Sequence, residues 1–130
     1  MAMMALSTLQ VLAVDPTHRD IEFATVGEHS LKLDLYLPKD VEKPPLIVWV
    51  HGGAWRKGSR ASVPIQSLTE RGFAIASVDY RLSPVAKFPA QVIDIREAIE
   101  FLAANSAELN LAQDRLAIAG ASAGGHWPRL

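Results

Sequence analysis

The chain has 130 residues, 49% of them hydrophobic, with 13 basic side chains against 14 acidic ones and no cysteine. That is enough apolar material for the core of one domain, and a formal net charge of -1 argues against a nucleic acid or an anionic membrane as partner. Without cysteine there is neither a disulfide framework nor a thiolate metal site. No grouping of His, Asp and Glu has ligand spacing, so no metal or other cofactor is expected.

In chain order, residues 1–13 are apolar, with Asp15 the first charge and Arg19 the first basic residue. The stretch lacks the basic n-region of a secretory signal and is too short to span a bilayer. It reads as a short helix or a lead-in, and a soluble, cytoplasmic protein is expected. Residues 21–26 are rich in β-formers, and Leu31-Lys32-Leu33-Asp34-Leu35-Tyr36-Leu37 alternates with period two, the sign of a half-buried strand. Gly27-Glu28-His29-Ser30 between them predicts a hairpin turn. After a polar, proline-bearing loop over residues 38–45, Leu46-Ile47-Val48-Trp49-Val50 is unbroken apolar, as a strand covered on both faces should be.

Residues 60–71 carry Val63, Ile65 and Leu68 and end at Gly72, which predicts a helix with its C-terminal stop. Residues 73–78 return as a strand. Pro89 suits a first helical turn, and Val92, Ile95, Ile99 and Leu102 recur at spacings of three and four, predicting one apolar stripe with Glu97 and Glu100 off it. Residues 110–115 form a loop, and residues 116–119 the next strand. The order is α/β: an antiparallel hairpin leading into a mostly parallel sheet flanked by helices. One domain is expected, with residues 1–19 as lead-in, and no repeat or linker interrupts it.

Two segments carry chemistry. Gly120-Ala121-Ser122-Ala123-Gly124 follows the apolar run Leu116-Ala117-Ile118-Ala119. A G-x-S-x-G turn between a buried strand and a helix lifts the serine hydroxyl clear of the sheet, and small flanking residues avoid clashes there. Ala123 would open the following helix, its N–H among the unpaired donors available to a developing oxyanion. His51-Gly52-Gly53-Ala54-Trp55 directly follows the earlier apolar strand. Its exposed N–H groups are suited to completing an oxyanion hole. Neither G-x-x-x-x-G-K-[ST] nor G-x-G-x-x-G occurs, so these glycine turns are not a phosphate cradle of either kind.

These motifs, in this order and each after its own strand, resemble the α/β-hydrolase esterases of the hormone-sensitive-lipase-like and feruloyl-esterase-like branches. Asp79-Tyr80-Arg81-Leu82-Ser83-Pro84 resembles that family's DYRL-x-P segment, and Phe88-Pro89-Ala90-Gln91-Val92-Ile93-Asp94 the start of its next helix. Gly124-Gly125-His126 fits the run after the nucleophile, so the likeness covers residues 20–126. It implies the N-terminal part of an α/β-hydrolase fold, Ser122 as nucleophile, and oxyanion N–H groups from Gly53, Ala54 and Ala123. Ala54 stands where many relatives have a third glycine. Its N–H survives, but its Cβ crowds the pocket and bears on substrate size.

The resemblance implies a small-molecule ester as substrate, acting through an acyl-enzyme. An amide is the alternative, because the arylformamidase branch also carries an HGG-x-W loop. In this fold the acid and base follow the serine, yet no acid follows Ser122, and His126 alone could be a base. The resemblance gives His126, Asp79 and Asp94 structural parts, with the aspartates pairing Arg81 or a nearby amide. His51 is expected to brace its loop by a hydrogen bond, and His18 and His29 to face solvent.

The fold it resembles needs about 250 residues, and Trp127-Pro128-Arg129-Leu130 places proline where a helix interior needs an N–H. The expectation is therefore a truncated or frame-shifted esterase with an atypical tail at residues 127–130. It would be nearly inactive as it stands, or would be a non-catalytic fragment that binds a complementing chain. In the family's sheet a later strand would flank residues 116–119. Left open, that apolar edge predicts self-association.

Overall fold

The computed structural model describes residues 15–53 and 57–121. Residues 1–14 of the expected lead-in, and Ala54, Trp55, Ser122, Ala123, His126 and the tail, lie outside the described residues; the last two residues assigned to that lead-in, His18 and Arg19, already belong to the first strand.

Five strands form one sheet in the order β1-β2-β4-β3-β5. β1 (His18–Val26) and β2 (His29–Tyr36) make the expected antiparallel hairpin, turning at Gly27 and Glu28. β2 also pairs antiparallel with β4 (Ala74–Val78). β4 then pairs parallel with β3 (Leu46–Val50), and β3 parallel with β5 (Leu116–Gly120). This is the antiparallel entry and parallel interior that the change from alternating to continuous apolar sequence predicts.

The two faces of the sheet are covered differently. On one, Leu33, Leu35, Val48, Val50, Ala76 and Val78 pack with Ile95, Ala98 and Leu102 of helix α1 (Ala90–Ala104). On the other, Tyr36, Trp49 and Ile75 pack with Val63, and Ile65 and Leu68 lie against them. Consequently β2 is not half-buried throughout. Asp34 and Tyr36, on its expected polar side, are both buried, because the segment after β3 folds back over that face.

Two helical expectations are corrected. Residues 60–71 hold only a 3-10 helix, Gln66–Arg71, although Gly72 does end it in the left-handed conformation. Pro64 has no N–H to give to the Arg60 carbonyl oxygen four residues back, which accepts instead from the Ser77 hydroxyl at 2.7 Å, so a helix beginning at residue 60 would be broken in its second turn. In α1 the buried face is Ala90, Gln91, Asp94, Ile95, Ala98 and Leu102, while Val92 and Ile99 are only half-buried. The stripe is rotated because Gln91 and Asp94 have internal partners, which apolar periodicity does not register.

Candidate active site

β3, β4 and β5 run parallel and end level: Val50 pairs in register with Val78 on one side and with Gly120 on the other. Neighbouring strands lie about 4.8 Å apart, so the chain leaves β3 into His51-Gly52-Gly53, and leaves β5 toward Ser122, at adjacent points on one edge. Gly53 is three residues beyond Val50, and Ser122 two beyond Gly120. The carboxyl edge of a parallel sheet is where α/β proteins assemble their sites.

The first turn of the β3 loop is tightly held. His51 is buried, and its Nδ1 lies 2.8 Å from the Gly52 carbonyl oxygen. A carbonyl can only accept, so the proton sits on Nδ1 and the loop is braced as expected. The Tyr80 ring stacks on the imidazole at 4.4 Å and 13°, and the Tyr80 hydroxyl donates to the His51 carbonyl oxygen at 2.9 Å. Burial, then the charge of Asp79, pushes the Tyr80 phenol up to about 12, so it stays a neutral donor through the physiological range.

Two glycines here are required by space. Gly53 has φ +118°, and a Cβ on it would stand 2.0 Å from the Lys57 carbonyl oxygen. Gly58 has φ +95°, and a Cβ would meet the Gly52 oxygen at 2.6 Å and His51 Nδ1 at 2.7 Å. The loop therefore folds back on itself, its returning limb lying against its outgoing one. Lys57 N–H donates to the Gly53 oxygen at 3.1 Å.

The returning limb is anchored by Arg60. Its guanidinium bonds Asp34 on β2 through Nε at 3.0 Å, Asp79 just past β4, and Asp20 on β1. Burial alone would lower its pKa, but the hydrogen bonds to Asp34 and Asp79 outweigh that and raise it, keeping the charge fixed. Asp79 thus pairs with Arg60 rather than Arg81. Arg81 is held by Asp94 of α1, which is fully buried and takes Nη2 at 2.8 Å, Nε at 2.9 Å and the Arg81 amide at 2.8 Å. Gln91 Nε2 donates to the Arg81 and Ala86 carbonyl oxygens, both at 2.8 Å.

A shallow cavity of about 370 Å³ lies between these groups and the hairpin, lined among others by Glu28, His29, Leu31, Gly58, Tyr80 and Val85. Among the described residues no cluster of His, Asp or Glu is arranged to hold a metal ion, and no helix is long and apolar enough to cross a membrane.

Comparison with known proteins decides what this edge belongs to. The BD-FAE family model matches residues 33–130, three-quarters of the chain and both motif loops. The chain belongs to the BD-FAE family. BD-FAE membership carries the α/β-hydrolase esterase fold, which the structural neighbours repeat. Est2, a thermophilic esterase of Thermogutta terrifontis solved with propionate bound, superposes with a TM-score of 0.76 at 30% identity, over 85% of this chain and 43% of that one. Esterase LipC of Mycobacterium tuberculosis is 37% identical over 103 residues, 75% of this chain and 26% of LipC. Carboxylesterase NlhH of the same organism is 36% identical over 113 residues, 82% of this chain and 35% of NlhH. The chain thus spans about a quarter to a third of the length of these curated relatives.

Of the four site residues expected from the sequence, Gly53 lies on the described edge. Ala54, Ser122 and Ala123 lie outside the described residues. His18 and His29 are exposed, as expected. No sequence motif marks Arg60, Asp34 or Gly58 as part of this edge. The one signal available for them is a glycine and an arginine five and seven residues after Gly53, in a loop whose return must end somewhere on the sheet.

Proposed function

We propose that the protein carrying this chain hydrolyses carboxylic esters of short acyl chains, with Ser122 as nucleophile and the N–H groups of Gly53, Ala54 and Ala123 as oxyanion hole. The observation that supports this reading is the pairing of Val50 with Gly120, which sets side by side the two strand ends that lead into the HGG and G-x-S-x-G sequences. The Ser122 oxygen attacks the acyl carbon, giving up its proton to a base that follows it in chain order. The carbonyl π electrons move to oxygen, where the backbone N–H groups meet the charge. Collapse breaks the ester C–O bond, the alcohol departs with the proton, and water then cleaves the acyl-enzyme to acid and free serine.

The relatives reported above are named as esterases, and Est2 was solved with propionate bound, which favours a short-chain ester over an amide. The test is turnover of p-nitrophenyl propionate by the protein that carries this sequence, against its Ser122→Ala variant. Loss of kcat by about 10⁴-fold or more is expected. A variant that retains turnover within tenfold, or a wild type that cleaves only aryl formamides, would overturn the reading.

A further inference from the structure

The limb that returns from the HGG loop is fastened along a single line of the sheet. Asp34, Ser77 and Trp49 are register partners on β2, β4 and β3, and all three point away from α1. Asp34 takes Arg60 Nε at 3.0 Å, the Ser77 hydroxyl donates to the Arg60 carbonyl oxygen at 2.7 Å, and Trp49 Nε1 donates to the Ser62 carbonyl oxygen at 2.9 Å. Asp79 adds the Arg60 amide and a second guanidinium contact. Two residues earlier, Gly58 rests on Gly52 and the His51 imidazole with no room for a methyl group, and Lys57 N–H reaches the Gly53 oxygen.

From this we infer that Arg60 is a positioning residue: by locking the return limb onto Asp34 and Asp79 it fixes the height of Gly52 and Gly53 above the sheet. Its effect on turnover rests on the ester-hydrolase reading; its effect on the loop does not. The guanidinium is the only side chain in the limb that bonds to β1, β2 and the end of β4 at once, among the described residues. A planar fork with five donors can satisfy three carboxylates, which a single ammonium cannot do with the same geometry. An oxyanion donor displaced by a fraction of an ångström loses transition-state stabilisation while substrate binding is little changed.

The experiment compares wild type, Arg60→Gln and Arg60→Lys in the protein that carries this chain, at a temperature where thermal melts show each fully folded. Ile99→Ala on α1 serves as a stability control that touches neither loop. Two readouts are taken: exchange of the Lys57 amide hydrogen, and kcat and KM on p-nitrophenyl propionate. In Arg60→Gln, Lys57 exchange is expected to rise about tenfold or more. Its kcat is expected to fall roughly tenfold to hundredfold with KM within about twofold, and Arg60→Lys to recover part of both. Ile99→Ala should change neither. Unaltered Lys57 exchange in Arg60→Gln, or an equal rise in Ile99→Ala, would overturn the inference whatever the kinetics show. Faster exchange with a wild type that hydrolyses no ester would instead sustain the positioning role and sink the proposed function.

Discussion

Tyr80 shows how much one side chain carries at this edge. Its ring covers the His51 imidazole while its hydroxyl bonds the carbonyl of the same residue, so loop and strand end are clamped by one group. Burial and Asp79 raise its pKa to about 12 from 10.0. Between those values an unfolded chain has released the proton and the folded one has kept it. The contribution is therefore whole below pH 10 and is lost as pH rises toward 12. Urea unfolding at a series of alkaline pH values should show wild type losing stability over this window, and Tyr80→Phe losing distinctly less. The variant should start about 1 kcal/mol lower at neutral pH for want of the hydroxyl's bond. Identical alkaline slopes would count against the assignment. Of these residues, the bracing role of His51 was legible, because a glycine loop after a strand needs a local hydrogen bond. Arg60 was not. Its partners stand 19, 26 and 40 residues away, and a lone arginine in a polar stretch reads as solvated.

At the level of elements, strands were legible to within a residue or two wherever apolar sequence is continuous, as in β3, β4 and β5. Helical segments were read less well, because polar side chains with internal partners occupy places that periodicity reserves for apolar ones. Asp94 is the clearest instance: fully buried on α1, it binds Arg81, whose own side chain is 15% exposed. The hydrogen bonds to Asp94 raise the arginine's pKa. Removing one partner strands the other, so Arg81→Met is expected to cost about 3–5 kcal/mol by chemical denaturation. Replacing both, as Arg81→Met with Asp94→Leu, should recover part of that, since no charge is left behind, while the residue 81 amide still loses the acceptor that Asp94 supplied. A loss below about 1 kcal/mol for Arg81→Met is what an exposed pair would give, and would show that the helix is not anchored there.

For the molecule as a whole, the sheet order sets the ends of β3 and β5, from which the chain runs into the two motifs, side by side, but leaves β5 at one end of the sheet, bonded to β3 alone among the described residues. The parallel interior was readable from the unbroken apolar runs. The insertion of β3 between β4 and β5 was not, since neighbourhood across a crossover leaves no mark in local pattern. Leu116 and Ile118 are each 39% exposed on that edge, whereas β4 is buried throughout and β3 at every residue but Ile47. A strand that offers both a free row of N–H and C=O groups and apolar side chains is a template for another strand. We therefore expect the 130-residue polypeptide, prepared by itself, to self-associate through β5. Sedimentation velocity over a wide concentration range should show species larger than the monomer. Leu116→Lys combined with Ile118→Lys should return the monomer, because two like charges on the edge oppose pairing in either direction and remain hydrated when it is open. Association that survives both lysines would place the contact elsewhere, and a wild-type chain that stays monomeric throughout would show that this edge is not adhesive.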